Sequence, residues 1–268
     1  MSTTPRKKTR RSPTAAQRRS RRRRRIINTI TMLTAGAVLV WVLVPRFGIN
    51  LLGLPVTKPD TGLINIGRSP NDILKSVPKT DLTSAIAALP EMNEWHPDYE
   101  RSNFGDGWAD LDGDGCNTRN EVLARDLDNV RFRSDTDDCV VQSGDFVDPY
   151  TGQQIIFTRG AETSDDVQID HVVALADAWD KGASSWSVRQ REKFANDPLN
   201  LLAVEGAANQ DKLAASIDEW VPPNEGYRCA YLARQVAVKT KWSLGVSSAE
   251  KHTMAVLATE CAAQPLPQ

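Results

Sequence analysis

Only three histidines occur in the chain, His96, His171 and His252, and His171 alone sits inside an apolar run, Val167 to Val173, directly after Asp170. Polar groups in such a setting cost free energy unless they are paired or put to use. A carboxylate beside an imidazole offers a hard oxygen ligand for a cation. It also offers a general base, because the unperturbed imidazole titrates near working pH. Downstream, Asn200 opens the apolar stretch NLLAV, and Asn209 and Lys212 follow one helical turn apart in NQDK. A strand bearing Asp-His, a second strand led by Asn200 and a helix carrying Asn209 and Lys212 form a strand–strand–helix unit. Its polar groups can converge on one divalent cation and one base. Taken singly, each residue has a plainer reading. Asp-His can be a hydrogen-bonded structural pair, Asn200 a turn residue after Pro198, and Asn209 a helix cap.

The elements around this unit follow from capping and periodicity. Asp81–Leu89 reads as a brief helix, Asn120–Val130 as a helix with Leu123 and Leu127 on one face, and Ala174–Lys181 as a helix ended by Gly182. Ser187–Ala195 is a charged helix, Tyr227–Trp242 a longer one, and Glu250–Cys261 closes the chain. Asp148–Gly152 (DPYTG) is a turn before the strand Gln154–Thr158, a hairpin leading into the Asp-His strand. Trp179, Trp186, Trp220 and Trp242 suit core edges, and His96 and His252 suit ordinary structural positions. Arg189, Arg191, Lys239 and Lys241 are the candidates for a basic surface.

The segments IDHVVAL, NDPLNLLAV and NQDK, in that order, resemble the HNH nuclease superfamily, in the branch of exported actinobacterial proteins and of the C-terminal domain of GmrSD-type restriction enzymes. GCNTRNEVLARDL, DPYTG and WVPP…YRCAYLARQ resemble the same branch, so the likeness runs from about Tyr99 to Cys261. It implies an α+β fold with a ββα-metal (HNH, His-Me finger) core and added helices, to which the cysteines and the N-terminal apolar run add a disulfide-stapled N-terminal subregion and one transmembrane helix in front. It also implies residue roles. His171 is the general base on water, Asp170 and Asn209 are metal ligands, and Asn200 fixes the loop and orients the histidine. Lys212 faces the scissile phosphate. Oxygen-rich ligation points to one catalytic Mg2+ or Mn2+ rather than zinc. The last position, Asn209 where related proteins carry His or Asn, leaves the choice of metal open.

The first 25 residues hold twelve Lys/Arg and no acid, a self-repelling block read as a disordered cytoplasmic tail. Ile26–Val44 is a 19-residue apolar run, long enough for a transmembrane signal anchor, with positive charge on the side that stays inside. Residues 45–79, rich in Pro and Gly, read as a linker with at most a short helix, and 80–268 as one exported domain. The expected location is the cell membrane with the C-terminal domain outside, or secretion if the N-terminal segment is cleaved. Beyond the basic tail, 21 Lys/Arg face 34 Asp/Glu, a balance of −13. An acidic domain is an awkward partner for nucleic acid, whose affinity comes mainly from phosphate neutralisation. A local basic groove or bound cations must answer that charge.

Four cysteines, Cys116, Cys139, Cys229 and Cys261, suit two disulfides in a translocated domain. Three pairings are available; the local one, Cys116–Cys139 and Cys229–Cys261, brackets one subregion with each bridge and is the expectation. Zinc is disfavoured by the lack of any Cys-x-x-Cys. In DLDGDGCNTRNE, Asp110, Asp112, Asp114, Gly115 and Glu121 fall on positions one, three, five, six and twelve of a calcium loop. An acidic turn whose side chains cap amides before a helix explains the same residues.

The reading is therefore a metal-dependent endonuclease acting on DNA, with RNA as an alternative substrate. Its partners are nucleic acid and, through the N-terminal helix, a membrane, with no obligate protein partner evident. The competing reading is a non-enzymatic, calcium-stabilised cell-surface binding domain on a nuclease-like fold; a third is a metal hydrolase for another phosphoester.

Overall fold

The computed structural model describes residues 67–268 apart from 93 and 162. The basic tail, the Ile26–Val44 anchor and most of the expected linker lie outside the described residues. Among the described residues no helix is long and apolar enough to cross a membrane.

The fold is α+β. Two antiparallel sheets carry it, one of order β1-β2-β3 (Asp128–Phe132, Val141–Val147, Gln154–Thr158) and one hairpin of β4 (Val167–His171) with β5 (Leu201–Glu205). The helices are α1 (Pro70–Leu74), α2 (Asp81–Ala88), α3 (Thr118–Asp126), α4 (Leu175–Asp180), α5 (Val188–Ala195), α6 (Gly206–Lys212), α7 (Arg228–Lys241) and α8 (Ser248–Cys261). Serine and threonine set several starts: Thr80, Ser187 and Ser247 each close a reciprocal capping box with the residue three places on.

The β4–β5 register runs from Val167 opposite Glu205 to His171 opposite Leu201. Successive side chains on a strand point to opposite faces, so the hairpin feeds two different cores. Val167, Ile169, Leu201 and Ala203 pack with Leu123, Val141, Phe146 and Phe157 from α3 and the three-stranded sheet. Leu202 and Val204 face the other way, into a core with Ile73, Tyr150, Leu232 and Met254. A third cluster, built on Phe104, Val173, Trp179 and Phe194, closes the end of the hairpin near His171. Trp186 and Trp242 pack against that cluster and Trp220 against the second, at core edges as expected, whereas Trp179 is buried within the third cluster because Phe104 and Tyr99 close over its ring.

Two expectations change here. The helix expected over Asn120–Val130 ends at Asp126, and Asp128 begins β1, because pairing with β2 outweighs local helix preference. Pro70–Leu74, inside the expected linker, belongs to the folded domain: Ile73 and Leu74 are buried and α1 packs on α8. The local cysteine pairing holds. Cys116–Cys139 ties the acidic loop to the approach to β2, and Cys229–Cys261 ties the start of α7 to the end of α8.

The turn from β5 into α6 needs a glycine. A β-carbon at Gly206 would stand 2.0 Å from the carbonyl oxygen of Asp165, and the Gly206 amide donates to the Asp166 carbonyl at 3.0 Å. This contact holds the entrance of β4 against the start of α6, the helix that carries Asn209 and Lys212. Gly206→Ala is expected to cost roughly 1–3 kcal/mol of stability through forced backbone displacement, seen as a lower urea midpoint. An unchanged midpoint would show that the contact does not hold the unit together.

Candidate active site

Asp170 and His171 are neighbours on a regular strand and leave it on opposite faces. Asp170 shares its face with Gln168 and turns toward α6. Its Oδ1 accepts from the Lys212 ammonium at 3.0 Å and its Oδ2 from the Tyr150 hydroxyl at 2.6 Å. Only 5% of Asp170 and none of Lys212 is exposed. Burial pushes the Asp170 carboxyl above its ordinary range, while Lys212 and Tyr150 pull against that rise. Lys212 also donates to the His171 carbonyl at 3.0 Å. The expected phosphate-facing lysine is thus an interior residue. Its charge is spent on the carboxylate that expectation made a metal ligand, because a buried carboxylate demands a partner.

His171 points toward the end of α5. Its Nε2 lies 2.8 Å from the carbonyl oxygen of Ala195, the last residue of that helix. Carbonyls at a helix end lack intrahelical donors, and the imidazole supplies one. An oxygen of this kind only accepts, so Nε2 carries the proton and Nδ1 is the basic nitrogen. The ring lies nearly parallel to Trp108, with centroids 5.8 Å apart and planes 8° apart. Burial lowers the imidazole pKa from 6.5 to about 4. The Ala195 carbonyl resists that fall, while the charges of Arg101 and Lys212 add to it.

Asn200 is buried and does not reach the imidazole. Its Oδ1 accepts from the Val173 amide at 2.8 Å, its Nδ2 donates to the Val173 carbonyl at 3.1 Å, and its own carbonyl accepts from the Val172 amide at 2.8 Å. It therefore stitches the chain just beyond His171 to the start of β5. Asn209 on α6 donates from Nδ2 to Gln168 at 2.8 Å, leaving its amide oxygen for another partner.

Asp170, His171 and Asn209 line one open cavity of about 550 Å3, together with Tyr99, Trp108, Gln168, Arg101 and Arg119. Arg119 also donates to the Val167 carbonyl at 3.2 Å. These two arginines are the local positive charge that the acidic domain called for, and residue-by-residue reading passed them over. So were Trp108 and Tyr150, whose only signals were an aromatic in a Gly-rich loop and the DPYTG turn. The expected basic surface is largely absorbed elsewhere. Lys239 is buried between Asp177 and Glu250, at 2.8 Å from each, because that interior carboxylate pair needs a cation. Arg191 donates to the Asn103 and Trp186 carbonyls, and Lys241 pairs with Asp197. Arg189 and Lys193 remain exposed.

The acidic loop lies outside this cavity's lining. Carboxylate oxygens of Asp110, Asp112 and Asp114 come within 4.8 Å of one another. Each also accepts from loop amides: Asp110 from Gly113 and Gly115, Asp112 from Asp114, and Asp114 from Cys116. Partial burial and the nearby aspartates raise the Glu121 carboxyl.

The lowered pKa of His171 makes stability depend on pH. Its folded value lies below its unfolded one, so between pH 6.5 and about 4 the unfolded chain binds the extra proton. Stability from this group is complete above pH 6.5 and lost as pH falls toward 4. Metal-free protein should lose on the order of 1–3 kcal/mol more than His171→Gln between pH 7 and pH 4.5 by urea titration. Equal losses would mean that the imidazole is not held neutral.

The family model described as GmrSD restriction endonucleases, C-terminal domain, matches residues 117–257. A protein of Arthroderma benhamiae, described as an uncharacterized secreted protein, is 35% identical over 195 residues, covering 72% of this chain and 89% of the relative. No solved structure matches. Asp170, His171, Asn200, Asn209, Lys212 and Tyr150 all fall inside the matched segment, whereas Arg101 and Trp108 precede it. The chain belongs to the family of GmrSD restriction endonuclease C-terminal domains, a family of nucleases.

Proposed function

We propose that this domain is an HNH-type, metal-dependent endonuclease that hydrolyses phosphodiester bonds in DNA. The observation that carries the reading is the meeting of Asp170, His171 and Asn209 in one cavity walled by two arginines. The donor set suits a hard cation. The Asn209 oxygen is unspent by the Gln168 contact, and each Asp170 oxygen accepts one hydrogen bond of the two it can take. Asp170 and Asn209 would hold Mg2+ or Mn2+, which supplies charge stabilisation on the phosphate and the departing oxygen.

The chain's own residues do the rest. His171 takes the proton of the attacking water on Nδ1, and its neutral form is fully populated at working pH. The Ala195 carbonyl then stabilises the imidazolium through Nε2. Arg101 and Arg119 bind phosphate oxygens, while Lys212 and Tyr150 hold Asp170 in place. Asn200 fixes the backbone that carries His171.

We infer that the domain works outside the cell, anchored through Ile26–Val44 or released from it. Two disulfides and the name of the secreted relative support that location. A second reading, a calcium-stabilised binding domain without turnover, is favoured by the convergence of Asp110, Asp112 and Asp114, a group that does not include the Glu121 carboxylate.

Supercoiled plasmid incubated with the purified chain, disulfides intact, in Mg2+, Mn2+, Ca2+ or EDTA separates the two. Cleavage is expected in Mg2+ or Mn2+, with a loss of about 10²–10⁴-fold in His171→Ala. Undiminished cleavage by the variant would remove His171 from the chemistry. No cleavage in any metal, with calcium raising the melting temperature, would favour the binding domain.

A further inference from the structure

Leu213 follows Lys212 at the end of α6 with a backbone conformation that is unusual for an aliphatic residue. It is a large aliphatic residue 75% exposed. Its backbone has φ 50° and ψ −123°, and the Ala215 amide donates to the Lys212 carbonyl at 3.0 Å, closing a turn over Leu213 and Ala214. Glycine is the usual occupant of the first central position of such a turn, since a β-carbon is strained there. Among the described residues, the other non-glycine residues with positive φ are Asn129, Asp137, Asp138 and Ser243, short polar types. Leu213 alone is aliphatic.

The strained side chain does not enter a core. It lines the cavity that holds Asp170, His171 and Asn209. It is also unable to drift, because Lys212 is locked to Asp170 and to the His171 carbonyl. Backbone strain of this kind persists where the surroundings enforce it, and it concentrates at ligand contacts. An apolar tooth rigidly presented beside arginines fits a ligand that is anionic in one part and apolar in the next. A nucleic-acid strand has that alternation, with phosphates between sugars and bases, and leucine is among the side chains that wedge against base steps.

We propose that Leu213 is a substrate-contact residue that packs on the sugar or base of the nucleotide next to the scissile phosphate. The inference rests on the nuclease reading above. It makes substrate binding depend on an apolar contact as well as on charge.

The test uses the full chain, disulfides intact, in a His171→Ala background that binds without turnover. Anisotropy of a fluorescein-labelled DNA duplex in Mg2+, at fixed salt, gives the affinity of this parent and of Leu213→Gly and Leu213→Met. Leu213→Gly is expected to bind about tenfold more weakly, while its urea midpoint rises because glycine relieves the turn. Leu213→Met should stay within about twofold of the parent, since it keeps an apolar chain of similar volume. With His171 intact, Leu213→Gly should raise KM more than it lowers kcat. Binding by Leu213→Gly equal to that of the parent would overturn the contact and leave the nuclease reading standing. A parent that binds no DNA at all would bring down the nuclease reading, and this contact with it.

Discussion

One carboxylate kept inside the protein organises the site. Asp170 is held by an ammonium from α6 and a phenol from the turn before β3, and neither partner is near it in sequence. Desolvating a charge is expensive, and the attraction that offsets the cost works only with close geometry and hydrogen bonds to both carboxylate oxygens. The pair therefore sets how α6 lies against β4. It also reaches beyond Asp170, because Lys212 binds the His171 carbonyl with the same ammonium. Tyr150 is itself enclosed by Trp220, Tyr227 and Tyr231, so the aromatic core fixes one side of the carboxylate and α6 the other.

Strand alternation divides the remaining work. Gln168 and Asp170 turn to α6, where Asn209 meets Gln168, while His171 turns to the end of α5 and to Trp108. Which imidazole nitrogen is basic is thus decided by where α5 stops, at Ala195. Asn196, the next residue, accepts from the Ala109 amide at 2.9 Å and so holds the loop that brings Trp108 over the ring. Asn200 ties Val172 and Val173 to β5. His171 is positioned from four separate segments, and none of them spends its Nδ1.

How much of this was legible in the chain depends on the range of the interactions. The strand Gln154–Thr158, the Asp-His strand and the helix ending at Cys261 follow from local pattern and capping, and the structure has them there. The ordered Asp-His, Asn200 and Asn209 series also pointed to one place, and Asp170, His171 and Asn209 do share a cavity. Interactions set by tertiary pairing were not legible. Strand β1 needs β2 as a partner, and its residues look helical without it. Lys212 and Lys239 look like surface cations until carboxylates 42 and 62 residues away reach them. Trp108 carries no local signal that it will stack on His171, nor Arg101 that it will line the same cavity.

The proposed chemistry requires that Asp170 and Asn209 together hold a divalent cation beside His171, and that the acidic loop does not supply that site. A Mn2+ titration followed by electron paramagnetic resonance, on the wild type, Asn209→Ala and Asp112→Asn, tests it most directly. The Mn2+ site is expected to be weaker in Asn209→Ala by at least the roughly tenfold that loss of an outer-shell partner alone costs, and unchanged in Asp112→Asn. Binding that survives in Asn209→Ala and disappears in Asp112→Asn would contradict it, moving the metal to the loop and leaving the cavity without its ion.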